Sequence, residues 1–187
     1  MQRNVTLTLI IDAQKDFVYD VLGSKEAQNC IPGLVQFIKE EESCGSCVIF
    51  TRDTHSNNYM NTREGKYLPV PHCIENTEGW KVCDELLNAS ITKYQVNKPS
   101  FGMTQERWRE VLYEHFYFLS DVQEIKLVGF CTDICVISNA LSLKAMFPEA
   151  NVTVYEDLCA GVTPQKHEAA LEVMRSCQIN VEKYFNN

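Results

Sequence analysis

Three residues far apart in the chain are of the types that a nucleophilic amide hydrolase needs: Asp12, Lys98 and Cys135. A thiol attacking a carboxamide needs a proton acceptor, which a neighbouring carboxylate can be, and a cation beside it helps to hold the thiolate. Cys135 follows a short apolar run ending at Gly129, and the pattern turns helical from Asp133, so the thiol falls in the first turn of a helix behind a buried strand. Unpaired amides and the positive end of the helix dipole there would lower its pKa, and the same amides could receive an oxyanion. Taken singly, each residue has a structural reading: a buried core thiol, a turn cap, a surface lysine. Their shared position at strand ends favours chemistry.

A second group has the composition of a metal site. Asp53-x-His55 puts a carboxylate and an imidazole at one strand end, and Glu64 and His72 follow within the next segment. The chain has only four histidines, at 55, 72, 115 and 167, and two of them fall here. Imidazoles with carboxylates suit zinc, with manganese or iron as alternatives, because such a ligand set discriminates poorly among them.

The elements that must position these groups alternate along the chain. Val5–Ile11 is a β-branched run of the kind buried on both faces of a sheet. A helical period covers 31–44, with Pro32 in its first turn and Gly45 as its stop, and Ser46–Thr51 is the second strand. From Ser56 to Gly79 there is no clear period, and a loop of about 24 residues is long enough to suggest function. A short helix at 80–87 and a strand at 90–96 come next, then a helix capped by Thr104 and running to about Leu119. The strand 124–130 leads to the Cys135 helix, which runs to about Ala145. Asn151–Tyr155 is a fifth strand, Thr163-Pro164 opens a helix to Ser176, and 178–181 is a last short strand. The fold class this predicts is a three-layer α/β/α single domain over 1–187, with a central, mostly parallel sheet.

Composition sets the outer limits. A chain of 187 residues with 45% hydrophobic content can build a substantial core. A formal charge of -8 argues against nucleic acid and anionic membrane surfaces, so a small molecule is the expected partner. No apolar run has the length of a membrane span and the N-terminus leads directly into a strand, which predicts a cytoplasmic protein without signal peptide or membrane helix. The nine cysteines are expected to remain thiols, Cys44-Gly-Ser-Cys47 included, because a lone CxxC entering a strand is neither a zinc ribbon nor a redox motif at a helix start.

Five segments carry a family likeness: Ile10–Phe17, Phe50–His55, Leu68–Gly79, Lys98–Ser100 and Gly129–Val136. With them the chain resembles the isochorismatase-like cysteine hydrolases, and among these the nicotinamidases. The resemblance implies a six-stranded sheet, Asp12 as base, Lys98 as cation and Cys135 as nucleophile. It also implies a cis peptide before Cys131, and an oxyanion hole formed by the amides of Cys131 and Cys135. Asp53, His55 and His72 would hold the metal, Glu64 would be a further ligand, and Phe17 would stack on a pyridine ring. The implied activity is hydrolysis of nicotinamide, or a close pyridine carboxamide, to the acid and ammonia through a thioester, as in NAD salvage, in a chain that forms homo-oligomers. A second stacking aromatic expected three residues before His72 is Pro69 here, leaving Tyr67, Trp80 or Phe101 to replace it. Two other readings are a related hydrolase of another small amide and a catalytically silent, metal-holding binding protein.

Overall fold

A computed structural model describes residues 5–114 and 122–185. The run VTLTLII forms β1 (Val5–Ile11), whose last five residues are buried, as its β-branched and leucine content requires of a central strand. Around it lie β2 (Cys47–Asp53), β3 (Tyr94–Lys98), β4 (Val122–Phe130), β5 (Asn151–Ala160) and β6 (Asn180–Glu182). The sheet order is β3-β2-β1-β4-β5-β6 and every pairing is parallel. The chain therefore winds outward from β1 on one side, returns, and winds outward on the other. This leaves a crevice between the carboxyl ends of β1 and β4, where open α/β sheets place their sites.

Helices cover both sides of the sheet. α1 (Lys15–Val18), α2 (Lys25–Ser43) and α4 (Asp84–Ala89) pack together on one side, with α3 (Arg63–Tyr67) in the segment that follows β2. On the other side α6 (Ile137–Met146) packs between α5 (Gln105–Tyr113) and α7 (Pro164–Ser176). Gly129 sets the closeness of β4 to β1: its φ is +116°, and a Cβ there would lie 2.1 Å from the carbonyl oxygen of Ile11. No other residue could hold the two strand ends this near to one another.

Several boundaries differ from the sequence expectation. α2 starts at Lys25, not at 31, because Ser24 caps it by accepting from the Ala27 amide (3.0 Å), and Pro32 lies inside the helix. The long loop contains a 3-10 turn at Tyr59–Asn61 and then α3, which Thr62 caps. The short helix begins at Asp84 instead of 80. β3 starts at Tyr94 because residues 90–93 are held in a turn by Glu42, whose carboxylate accepts from Ser90, from Thr92 and from the Ile91 amide. β5 continues past Tyr155 to Ala160 across a break in register opposite the end of β4. α5 is helical to Tyr113, and the remainder of that predicted helix, from His115, lies outside the described residues.

Candidate active site and metal centre

Asp12 leaves β1 with φ +46° and is fully buried. Thr51 on the adjacent β2 fixes it twice, donating to Asp12 Oδ1 (2.6 Å) and accepting from the Asp12 amide (3.1 Å). Lys98 ends β3 and is fully buried. Its Nζ lies 2.6 Å from Asp12 Oδ2 and 3.7 Å from Asp53 Oδ1, and it donates to the Ser100 carbonyl (3.0 Å) and to Cys135 Sγ (3.5 Å). The three predicted residues thus meet through one ammonium. Asp12 Oδ2 has that ion contact but no well-directed hydrogen bond, which leaves an oxygen able to take a proton.

Electrostatics refine the sequence reading of Cys135. Burial, with the Asp12 carboxylate adding to it, pushes the thiol well above its ordinary range despite the opposing charge of Lys98. This shift is opposite in direction to the lowering that a helix terminus alone would give. Burial also opposes the charge on Lys98, but the Asp12 and Asp53 carboxylates outweigh it and raise the ammonium's pKa. The Asp12 carboxyl is raised by burial, against the pull of Lys98.

Cys135 sits on a wide turn, Thr132–Val136, that leads into α6. The Phe130–Cys131 peptide before it is cis. The Cys131 carbonyl accepts from the amides on either side of Cys135, those of Ile134 and Val136 (both 3.1 Å). One turn further on, the fully buried Asn139 donates to the carbonyls of Cys135 (2.8 Å) and Phe101 (3.2 Å) and accepts from the Met103 amide (3.0 Å). It binds the loop after Lys98 to the helix after Cys135. Asn139→Ala is expected to lower stability by about 2 kcal/mol, because it strands buried backbone groups on both segments. The denaturant midpoint measures this, and an unchanged midpoint would count against it.

The second group also comes together. His55 Nε2 is 2.9 Å from Asp53 Oδ2 and 3.5 Å from Glu64 Oε1, while His72 Nε2 is 3.4 and 3.8 Å from the same two atoms. All four ligand atoms lie within 4.8 Å of one another. Ligands about 2.0 to 2.2 Å from a common ion stand roughly 3 to 4 Å apart, so the four residues fit a divalent metal. Two further details agree. His72 Nδ1 donates to the Val70 carbonyl (2.9 Å), which turns the lone pair of Nε2 toward the cluster. Asp53 turns Oδ2 to both imidazoles and leaves the buried Oδ1 facing the Lys98 ammonium at 3.7 Å, so one carboxylate joins the two groups. Burial disfavours charge on Asp53, but His55, His72 and Lys98 overcome this and hold its pKa low.

A cavity of about 550 Å³ connects the two groups, with Cys135 and Cys131 on one wall and Asp53, Glu64 and His72 on another. Phe17 lines it, edge-on to His72 with centroids 5.5 Å apart. Of the three candidates for a second aromatic, Tyr67 and Phe101 line the cavity. Trp80 instead donates to Thr54 (2.8 Å) beneath the Arg52 guanidinium.

Four positioning residues escaped the sequence reading: Thr51, Gln14, Asp16 and Asn139. Gln14 accepts from the Asp53 amide (2.7 Å) and donates to the Asp53 carbonyl (2.9 Å). Asp16 accepts from the Cys73 amide (2.7 Å), so it fixes the segment that carries His72. The alternating polar residues Asp12-x-Gln14-x-Asp16 were a legible signal, since polar side chains so close to a central strand end need partners. All nine cysteines are free.

A doubly wound parallel sheet with polar and reactive side chains gathered at its switch point is the class of α/β fold that holds small-molecule sites. Within that class the chain belongs to the isochorismatase family: the Isochorismatase domain matches residues 6–183. A relative from Arabidopsis thaliana, described as a probable inactive nicotinamidase, is 26% identical over 188 residues, covering 93% of this chain and 89% of its own. Among solved structures, a nicotinamidase/pyrazinamidase from Bacillus subtilis superposes with a TM-score of 0.79 at 22% identity, covering 96% of this chain and 100% of that one. A pyrazinamidase from Pyrococcus horikoshii, solved in complex with zinc, gives 0.76 at 24% identity, with 96% and 99% covered. No described helix is long and apolar enough to cross a membrane.

Proposed function

We propose that the protein is a metal-containing cysteine amidohydrolase that converts nicotinamide, or a close pyridine carboxamide, to the acid and ammonia. The observation that carries this reading is one ammonium, Lys98 Nζ, in contact with both the Asp12 carboxylate and the Cys135 sulfur, beside a cavity that is also lined by Asp53, Glu64 and His72 of the four-residue cluster. Cys135 Sγ attacks the carboxamide carbon while Asp12 accepts its proton. The amides of Cys131 and Cys135 receive the developing oxyanion. Asp12 returns the proton to the leaving nitrogen, ammonia departs, and water attacking the thioester, with Asp12 again as base, releases the acid and the thiol. Lys98 stays protonated throughout and holds the carboxylate and sulfur in register.

Asp53, His55, Glu64 and His72 would hold the divalent metal, zinc first with manganese or iron as alternatives. Such an ion supplies a Lewis-acidic position for the ring nitrogen, and so orients the amide toward Cys135. Phe17 supplies the apolar face against the ring.

Ammonia release from nicotinamide, followed with and without a chelator, tests the reading. Activity is expected in the loaded protein, to fall at least about tenfold on metal removal, and to return with the ion the site prefers. Full activity in verified metal-free protein would remove the metal's role. The description of the Arabidopsis relative as a probable inactive nicotinamidase favours a second reading, a silent metal-holding protein. Metal binding without turnover of nicotinamide or of any amide in a panel of small carboxamides would select it.

A further inference from the structure

Lys166 is the third residue beyond the Thr163 cap and lies in the first turn of α7. A cation there faces the positive end of the helix dipole, a placement disfavoured by roughly 0.3 to 1 kcal/mol. Some exposed basic side chains of this acidic chain find carboxylates, as Lys81, Arg107 and Arg175 do. Among the described residues no acid pairs with Lys166, and its side chain lines the cavity that holds Cys135. It is near enough to the wall for its charge to act on the Cys131 thiol.

The backbone on either side of Lys166 is fixed, while the residue itself is exposed. The Val162 amide donates to Asp133 Oδ1 (2.8 Å), and His167 Nδ1 is hydrogen-bonded to Thr132 Oγ1 (2.8 Å). Gly161 lets the two segments meet, for a Cβ there would stand 2.7 Å from Asp133 Oδ1. The start of α7 is thus tied to the nucleophile's own turn before and after Lys166. Cavities of roughly 300 to 1,000 Å³ serve drug-sized ligands, so about 550 Å³ leaves room beyond the small ring of nicotinamide. Phe101 and Val162, both exposed, continue the apolar wall outward.

We propose that Lys166 forms an anion-binding subsite in this cavity, and that the preferred substrate is an aromatic carboxamide bearing an oxyanion group, a carboxylate or a phosphate ester, away from the carboxamide. This rests on the amidohydrolase reading for the carboxamide's place at Cys135, and adds what the outer cavity recognises.

The test compares kcat/KM for nicotinamide, 5-carboxynicotinamide and 5-(phosphonooxymethyl)nicotinamide in the wild type, Lys166→Met and Lys166→Arg. The wild type is expected to favour one or both anionic amides by about tenfold, the value of one charge-assisted contact. Lys166→Met removes that ratio, Lys166→Arg keeps it, and added salt reduces it. The anion that gains identifies the group. Equal rates on all three amides, or a ratio unchanged in Lys166→Met, overturns the subsite. If the wild type turns over none of them, the amidohydrolase reading fails and calorimetry decides the subsite separately. Binding of an anionic amide about tenfold tighter than nicotinamide and dependent on Lys166 keeps it, and equal or absent binding ends it.

Discussion

Replacing Cys135 by alanine is expected to abolish ammonia release from nicotinamide, by about 10⁴-fold or more, while the protein stays folded. The loss is large because among the described residues Cys135 Sγ is the thiol in contact with Lys98; a nucleophile's removal leaves only binding and oxyanion stabilisation. The fold should survive because one sulfur at the edge of a cavity is lost, at a cost of about 1 kcal/mol by the buried-methylene scale. Alkylation of the wild type supplies a second readout. The buried thiol sits well above its ordinary pKa, and only the thiolate reacts. Its labelling by iodoacetamide should therefore be slow at neutral pH and rise about tenfold per pH unit until that raised pKa is passed. A Cys135→Ala protein retaining turnover within tenfold of the wild type would remove Cys135 from the mechanism.

Composition and pattern made much of this site visible before any coordinates. The runs leading to Asp12, Asp53 and Gly129 are β-branched or leucine-rich, and the first two close in polar residues, so β1, β2 and β4 and the ends they carry follow from local chemistry. β3 was displaced by several residues because its start is set at long range. Glu42, on α2, draws residues 90–92 into a turn that no local period records. α3 is only five residues long, too short for a helical period to emerge, although Thr62 caps it. The thiol's proton affinity was likewise not local. A helix terminus argues for a thiolate, but the degree of burial that outweighs it exists only once β1, β3 and β4 have converged. Gln14 and Asp16 were legible as polar residues and not as clamps, because their partners, Asp53 and Cys73, lie on other segments.

The second large effect concerns the cation. Lys98→Met is expected to lower stability by about 3 to 5 kcal/mol at neutral pH and to abolish turnover. Methionine fills most of the lysine's volume, so packing changes little. What is lost is the ammonium that compensates the buried carboxylates of Asp12 and Asp53. The pH dependence follows from the direction of each shift. Lys98 is raised in the folded state, so its contribution to the wild type is complete below the ordinary 10.5 and is lost only as pH climbs through the higher folded value. Asp12 is raised above its ordinary 3.8 even with Lys98 present, and loss of the opposing cation raises it further. Such a carboxyl binds its proton more tightly when folded, so the variant should regain stability as pH falls through that raised value and lose it as pH rises. Denaturant unfolding of wild type and Lys98→Met across pH 5 to 9 measures the difference. A deficit of the same size at every pH would mean that the loss comes from packing and not from uncompensated carboxylate charge.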